Sequence, residues 1–131
     1  MEIPAEVGKS PTLGIRGLLA TRDLREGEVI ERCPVVLIPL AQAEILDATV
    51  LTSYYFLWDA ERCAMALGYG SFQNHSYHAN VRFQRDFAAL QIVFTTARRV
   101  RQGEELTINY NGDPDDQTPL SAEFGIPAPR G

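Results

Sequence analysis

Apolar and polar residues alternate with a period of two along much of this chain. Between Val81 and Arg85, apolar Val81 and Phe83 are interleaved with Arg82, Gln84 and Arg85, the pattern of a half-buried strand whose successive side chains point to opposite faces. A turn at residues 86–88 leads into a second strand over 89–96. Residues 29–38 form a longer β-rich run in which Pro34 marks a kink or bulge. Residues 54–58 and 62–67 read as strands around a turn at 59–61, with their aromatic side chains assigned to core and sheet. The last short strand covers 105–110, after a basic connection at 98–103 whose Gly103 suits a turn. Only residues 40–46, following Pro39, have the composition of a helix of about two turns. Residues 1–12 carry Pro4, Gly8 and Pro11 and read as an irregular lead-in or a short edge strand. Many short strands with one brief helix predict a mostly β domain built of small sheets.

Composition narrows this picture. At 131 residues the chain is one domain, able to bury about two thirds of the surface its unfolded form exposes. A hydrophobic content of 45% and a net charge of -5 argue against wholesale disorder and against electrostatic binding to nucleic acid. The acidic balance suits a basic partner. Cys33 and Cys63 lie in apolar segments without the spacing of a disulfide framework or zinc ribbon, so they read as buried free thiols. The N-terminal residues lack a basic and then apolar leader, and no apolar run approaches about 18 residues. The expected setting is cytoplasmic, or another reducing intracellular compartment, with no membrane.

Residues 68–80, Gly-Tyr-Gly-Ser-Phe-Gln-Asn-His-Ser-Tyr-His-Ala-Asn, break the strand pattern with glycine, amide, imidazole and hydroxyl groups. Gly68 and Gly70 permit positive φ and close approach of a ligand, and Asn74, His75, Ser76 and Asn80 are short polar groups able to bond main chain or cofactor. Asn74-His75-Ser76, with Asn80 beyond it, resembles the Asn-His-Ser motif of SET-domain protein lysine methyltransferases. Two further stretches fall in the order that family requires. Residues 14–21, Gly-Ile-Arg-Gly-Leu-Leu-Ala-Thr, resemble its N-terminal glycine motif, and residues 103–110, Gly-Glu-Glu-Leu-Thr-Ile-Asn-Tyr, its C-terminal motif. The resemblance covers about residues 12–112, as a SET core over 1–112 and a tail over 113–131 that folds back over the site or stays disordered.

The resemblance implies a SET fold of several small twisted sheets with a C-terminal pseudoknot, which periodicity alone would not suggest because threaded chains are rare. It implies methyl transfer from S-adenosylmethionine to lysine. By motif match, Tyr110 is the catalytic tyrosine, and the main chain of Ile15, Arg16 and Gly17 holds the methionine end of the cofactor. Asn74 bonds the same moiety, the main chain of His75 reads the adenine edge, and Phe124 stacks on adenine. Phe83 lines the lysine channel, or else packs inward as core. The expected substrate is a lysine in a basic protein or peptide, and a homodimer would enlarge the surface that grips it.

Departures from the family pattern keep other readings open. Tyr77 stands for the usual cysteine, Ala79 for proline, and Asn109 for the aspartate before the catalytic tyrosine. The last leaves room for a non-catalytic module that keeps the fold to bind a peptide or partner; a third reading is a β-rich structural domain that never meets the cofactor. No cysteine follows Tyr110, so a zinc cluster cannot finish the channel, and Cys33, Cys63, His75 and His78 match no compact zinc spacing. No metal is expected. Adjacent His75 and Ser76 would face opposite sides of an extended backbone, a poor nucleophile and base pair. If the tail folds back, Asp113, Asp115 and Asp116 are expected near the channel mouth.

Overall fold

The computed structural model describes residues 2–120. Among them the alternating pattern becomes nine strands and one α-helix. In chain order these are β1 (Ala5–Lys9), β2 (Arg16–Ala20), β3 (Val29–Pro39), α1 (Leu40–Asp47), β4 (Tyr55–Leu57), β5 (Arg62–Ala66), β6 (Asn74–His75), β7 (Val81–Asp86), β8 (Gln91–Thr96) and β9 (Glu105–Ile108). One sheet has the order β1-β2-β9-β6 and the other β4-β5-β3-β8-β7. No helix among the described residues is long and apolar enough to cross a membrane.

Strand β8 shows how the two-residue period builds the core: Ile92, Phe94 and Thr96 are buried, and the residues between them are half-buried. Ile92 and Phe94 meet Leu18 and Leu106 from the other sheet, with Trp58 and Val100, in one cluster. The N-terminal stretch takes the edge-strand alternative, pairing as β1 with β2 in antiparallel register. Pro39 ends β3 as its composition predicts. Since proline offers no capping side chain, the first N–H of α1, from Leu40, is instead satisfied by the Glu61 carbonyl at 2.9 Å.

Three local expectations are corrected. The register shift in β3 falls between Val29 and Glu31, at Ile30, and not at Pro34. Pro34 marks a change of partner: residues before it pair with β8, and those from Val35 onward pair with β5. Having no N–H to place, Pro34 only needs its carbonyl filled, which Leu67 N–H does at 2.8 Å. Strand β8 starts at Gln91, later than expected, because Leu90 closes the preceding turn with φ of 53°. Strands β4 and β9 are shorter than the alternation suggested, ending at Leu57 and Ile108. Beyond β4, the N–H groups of Trp58 and Asp59 both turn to the Arg62 carbonyl.

The arrangement that positions the central motif centres on β9. It runs antiparallel to β2, with Leu18 opposite Leu106, and parallel to β6, with Asn74 opposite Thr107 and His75 opposite Ile108. Asn80 extends this junction: its side-chain oxygen accepts Thr107 N–H and its Nδ2 donates to the Glu105 carbonyl, both at 2.8 Å. After β9 the chain crosses back over residues 76–80. Ala79 N–H reaches the Pro114 carbonyl at 2.9 Å, Gln117 Nε2 reaches the Tyr77 carbonyl at 2.7 Å, and Leu120 N–H reaches the Tyr77 hydroxyl at 3.0 Å. Residues 74–80 are therefore enclosed by β9 on one side and the returning chain on the other, the crossing that a C-terminal pseudoknot requires.

Candidate active site

The motif is delivered by a 3₁₀ turn over Tyr69–Phe72. The carboxylate of Glu31 accepts the N–H groups of Gly70 at 2.9 Å and Tyr69 at 3.2 Å, and Ser71 donates to the Ala66 carbonyl at 2.6 Å. These contacts fasten the turn to β3 and β5. Of the two glycines read as giving room to a ligand, Gly68 does take positive φ, at 138°. Gly70 serves packing instead: a side chain there would run into the Phe94 ring. Nearby Cys33 and Cys63 are buried free thiols, and burial, with a smaller contribution from Glu31, pushes Cys33 up to about 12.

Two groups of residues gather around the motif. In the first, Asn74 Nδ2 donates to the Glu105 carboxylate at 2.7 Å and to the Arg16 carbonyl at 3.2 Å, and Ser10 Oγ donates to the other Glu105 oxygen at 2.5 Å. A side chain at Gly17 would strike the ends of Asn74 and Glu105, so glycine lets β2 approach them. The Arg16 guanidinium stacks over the Phe72 ring at 4.7 Å, and Ile15 is exposed. In the second group, the buried His75 ring accepts Tyr110 N–H on Nδ1 at 2.9 Å. Burial holds the imidazole below its usual pKa, so it is neutral and able to accept, which leaves its proton on Nε2. Tyr77 meets that ring edge-on, with centroids 4.4 Å apart, and Tyr110 lies against it at 5.0 Å.

Tyr110 also faces a cavity of about 640 Å³ whose lining mixes the rings of Tyr54, Tyr55, Phe56 and Phe83 with polar and charged residues such as Asp47 and Arg85. Burial, and secondarily the proximity of Tyr54, raises the Tyr110 pKa, so the phenol keeps its proton at neutral pH. Phe83 is at once a cavity residue and part of the aromatic packing. It lines the cavity, and it packs edge-on against Phe56 at 5.2 Å and beside Phe94 at 6.5 Å. Rings link the cavity to the first group: Tyr54 meets Phe72 at 6.2 Å, and Phe72 carries Arg16.

Residues 54–56, read from the sequence as core and sheet, form a wall of the cavity. Glu105, Ser10, Gln73 and Asp47 were given no role from the sequence, although Glu105 lay inside a quoted motif. The acid at the cavity is Asp47, which accepts hydrogen bonds from the Tyr55 hydroxyl at 2.8 Å and from Thr52 at 2.9 Å. Asp113, Asp115 and Asp116, expected at the mouth, are not among the lining residues. Asp115 is taken up by Arg98 at 2.9 Å and His78 at 2.7 Å, and these contacts hold its carboxyl below the usual range. Phe124 lies outside the described residues.

A family model described as the SET domain matches residues 15–111. A histone-lysine N-methyltransferase of Schizosaccharomyces pombe, named as specific for H3 lysine-37, is 32% identical over 108 residues, which span 82% of this chain and 73% of that protein. A crystal structure from Plasmodium falciparum, provisionally named a histone methyltransferase, superposes with a TM-score of 0.62 at 22% identity, covering 83% of this chain and 98% of that one, a likeness of fold. With the crossing at β6 and β9 and the motif residues gathered there, these matches establish that the chain belongs to the SET-domain family.

Proposed function

We propose that this protein transfers methyl groups from S-adenosylmethionine to the side-chain amine of a lysine in a protein substrate. The observation that carries the reading is the double anchorage of Tyr110, whose N–H is held by the neutral His75 ring while its side chain lines a cavity that it shares with four other aromatic residues. The name of the fission yeast relative, a histone-lysine methyltransferase, supports a protein lysine as the substrate class.

The residues beside Asn74 suit the cofactor. Gly17 leaves its stretch of β2 without a side chain, and the Asn74 amide donates inward, which leaves its carbonyl oxygen for a ligand amine. The Arg16 guanidinium is a cation suited to a carboxylate. Ile15, Arg16, Gly17 and Asn74 would hold the methionine end, and His75 would lie toward the adenine. When bound, S-adenosylmethionine supplies an electrophilic methyl group on a sulfonium.

The chain's own task is to present the lysine as a neutral amine and to aim it. In water at neutral pH, an amine with a pKa of about 10.4 costs roughly 4 kcal/mol to deprotonate. The aromatic part of the cavity wall would desolvate the ammonium and reduce that cost. Tyr110, still a neutral phenol, offers an oxygen to orient the amine nitrogen, and the same walls exclude water.

Calorimetric titration of S-adenosylmethionine into the protein, repeated with Asn74→Ala, tests the cofactor site: saturable binding that the substitution abolishes is expected. In a methyl-label assay on lysine peptides, Tyr110→Phe should lower kcat by about 10²–10³ with cofactor affinity unchanged. A well-folded protein that fails to bind the cofactor, or full turnover by Tyr110→Phe, would overturn the proposal.

A further inference from the structure

We infer that the ring of Tyr77 positions Tyr110 for methyl transfer, by holding the His75 imidazole so that Nδ1 stays in line with the Tyr110 N–H. The inference rests on the lysine-transfer reading and adds to it a residue that acts through its neighbours.

Tyr110 N–H donates to His75 Nδ1 at 2.9 Å, and this is the one hydrogen bond the imidazole makes among the described residues, since its buried Nε2 has no partner there. A single hydrogen bond does not fix a ring. The torsion between Cβ and Cγ of histidine is broad, and a turn about it swings Nδ1 off the N–H or puts a carbon in its place. Packing must do the rest, and two rings supply it. Tyr77 stands nearly perpendicular to the imidazole, at 87° with centroids 4.4 Å apart, and Tyr110 lies tilted against it at 5.0 Å. Tyr110 is the residue being aimed, so the independent support is Tyr77.

Tyr77 is itself held in place. Just after β6, Ser76 Oγ accepts His78 N–H at 3.1 Å and closes a tight turn around it. The returning chain then grips the residue twice: Gln117 Nε2 donates to its carbonyl at 2.7 Å, and Leu120 N–H to its hydroxyl at 3.0 Å. The cysteine of the family pattern would offer neither a ring to the imidazole nor an oxygen to Leu120. A line of contacts thus runs from the returning chain through Tyr77 and His75 to the main chain of Tyr110. A shift of that main chain moves the phenol oxygen that orients the amine, and small misplacements of an aiming group are costly to rate.

The test compares Tyr77→Leu, which removes the ring and stays apolar, with Tyr77→Phe, which keeps the ring and gives up the hydroxyl. The full chain, isotopically labelled, is first studied by NMR without substrate. In the wild type and Tyr77→Phe, His75 should show one tautomer, with Nδ1 unprotonated and Nε2 protonated, and the Tyr110 amide should exchange slowly. In Tyr77→Leu the two nitrogen signals should move toward each other, and exchange of the Tyr110 amide should quicken by about tenfold, as loss of one hydrogen bond implies. In a methyl-label assay on a lysine peptide, Tyr77→Leu should lower kcat by about tenfold or more with KM and cofactor affinity nearly unchanged, and Tyr77→Phe should recover most of that loss.

Unchanged His75 signals and Tyr110 exchange in Tyr77→Leu would overturn the inference. Loss of the single tautomer in Tyr77→Phe, where the ring is intact, would do so as well, even if Tyr77→Leu failed to fold. The NMR changes in a protein whose wild type methylates no lysine would sink the transfer reading and leave the link from Tyr77 to Tyr110 standing. Methyl transfer with a kcat indifferent to position 77 would do the reverse.

Discussion

Asn109 is fully buried, and its amide does what the aspartate of the family motif could not. Its Nδ2 donates to the carbonyls of Asp116 at 2.7 Å and Pro114 at 3.3 Å, while its oxygen accepts Asn111 N–H at 2.9 Å. A carboxylate there would turn an oxygen toward two carbonyl oxygens. Asn109→Asp should therefore lower stability by about 3 kcal/mol and loosen residues 113–118, measurable by urea unfolding and amide exchange; unchanged stability would contradict this account. The departure that most favoured a module without catalysis thus has a partner set of its own. What was legible at this scale follows from chemistry that stands out in a row of letters: Asn74, His75 and Tyr110 drew attention as polar groups in motifs. Glu105, Ser10 and Gln73 did not. Glu105 meets Asn74 across 31 positions and Ser10 across 95, and nothing local announces either meeting.

Elements with a period were readable, and those without one were not. Strands β7 and β8 follow alternation, and α1 follows composition and the proline before it. Strand β6 has two residues, too few to show any period, yet it carries the motif. Its place depends on the 3₁₀ turn before it and hence on the space at Gly70. Gly70→Ala would push a methyl group into the Phe94 ring, which belongs to the core cluster. A loss of about 1–3 kcal/mol is expected in chemical denaturation, with weakened ligand binding because the turn that delivers Asn74 must shift. Retention of both stability and binding would show that the turn yields freely. Pro34 was misread because a proline inside a β-rich run has two uses, a bulge or a change of neighbour, and one sequence does not choose between them.

At the scale of the whole molecule, the two sheets share one core, but the ways they are stitched together differ. The five-stranded sheet contains the hairpins β4-β5 and β7-β8, whose partners are close in the chain. The four-stranded sheet needs β9 between β2 and β6, which brings together the first and last parts of the described chain. Closing that loop is entropically expensive and should come late. Trp58, the single tryptophan, is buried and packs on Phe87 at 4.9 Å, so it reports on the hairpin-rich sheet. In refolding from denaturant its fluorescence should recover before S-adenosylmethionine binding returns; recovery of both in a single phase would refute this order. The same insertion of β9 has a meaning for a chain still being made. Residues 16, 17, 74 and 75 leave the ribosome before Glu105 and Tyr110, so the nascent polypeptide at first carries only part of the proposed site. The proposed site can be completed only after β9, the last strand among the described residues, has been made.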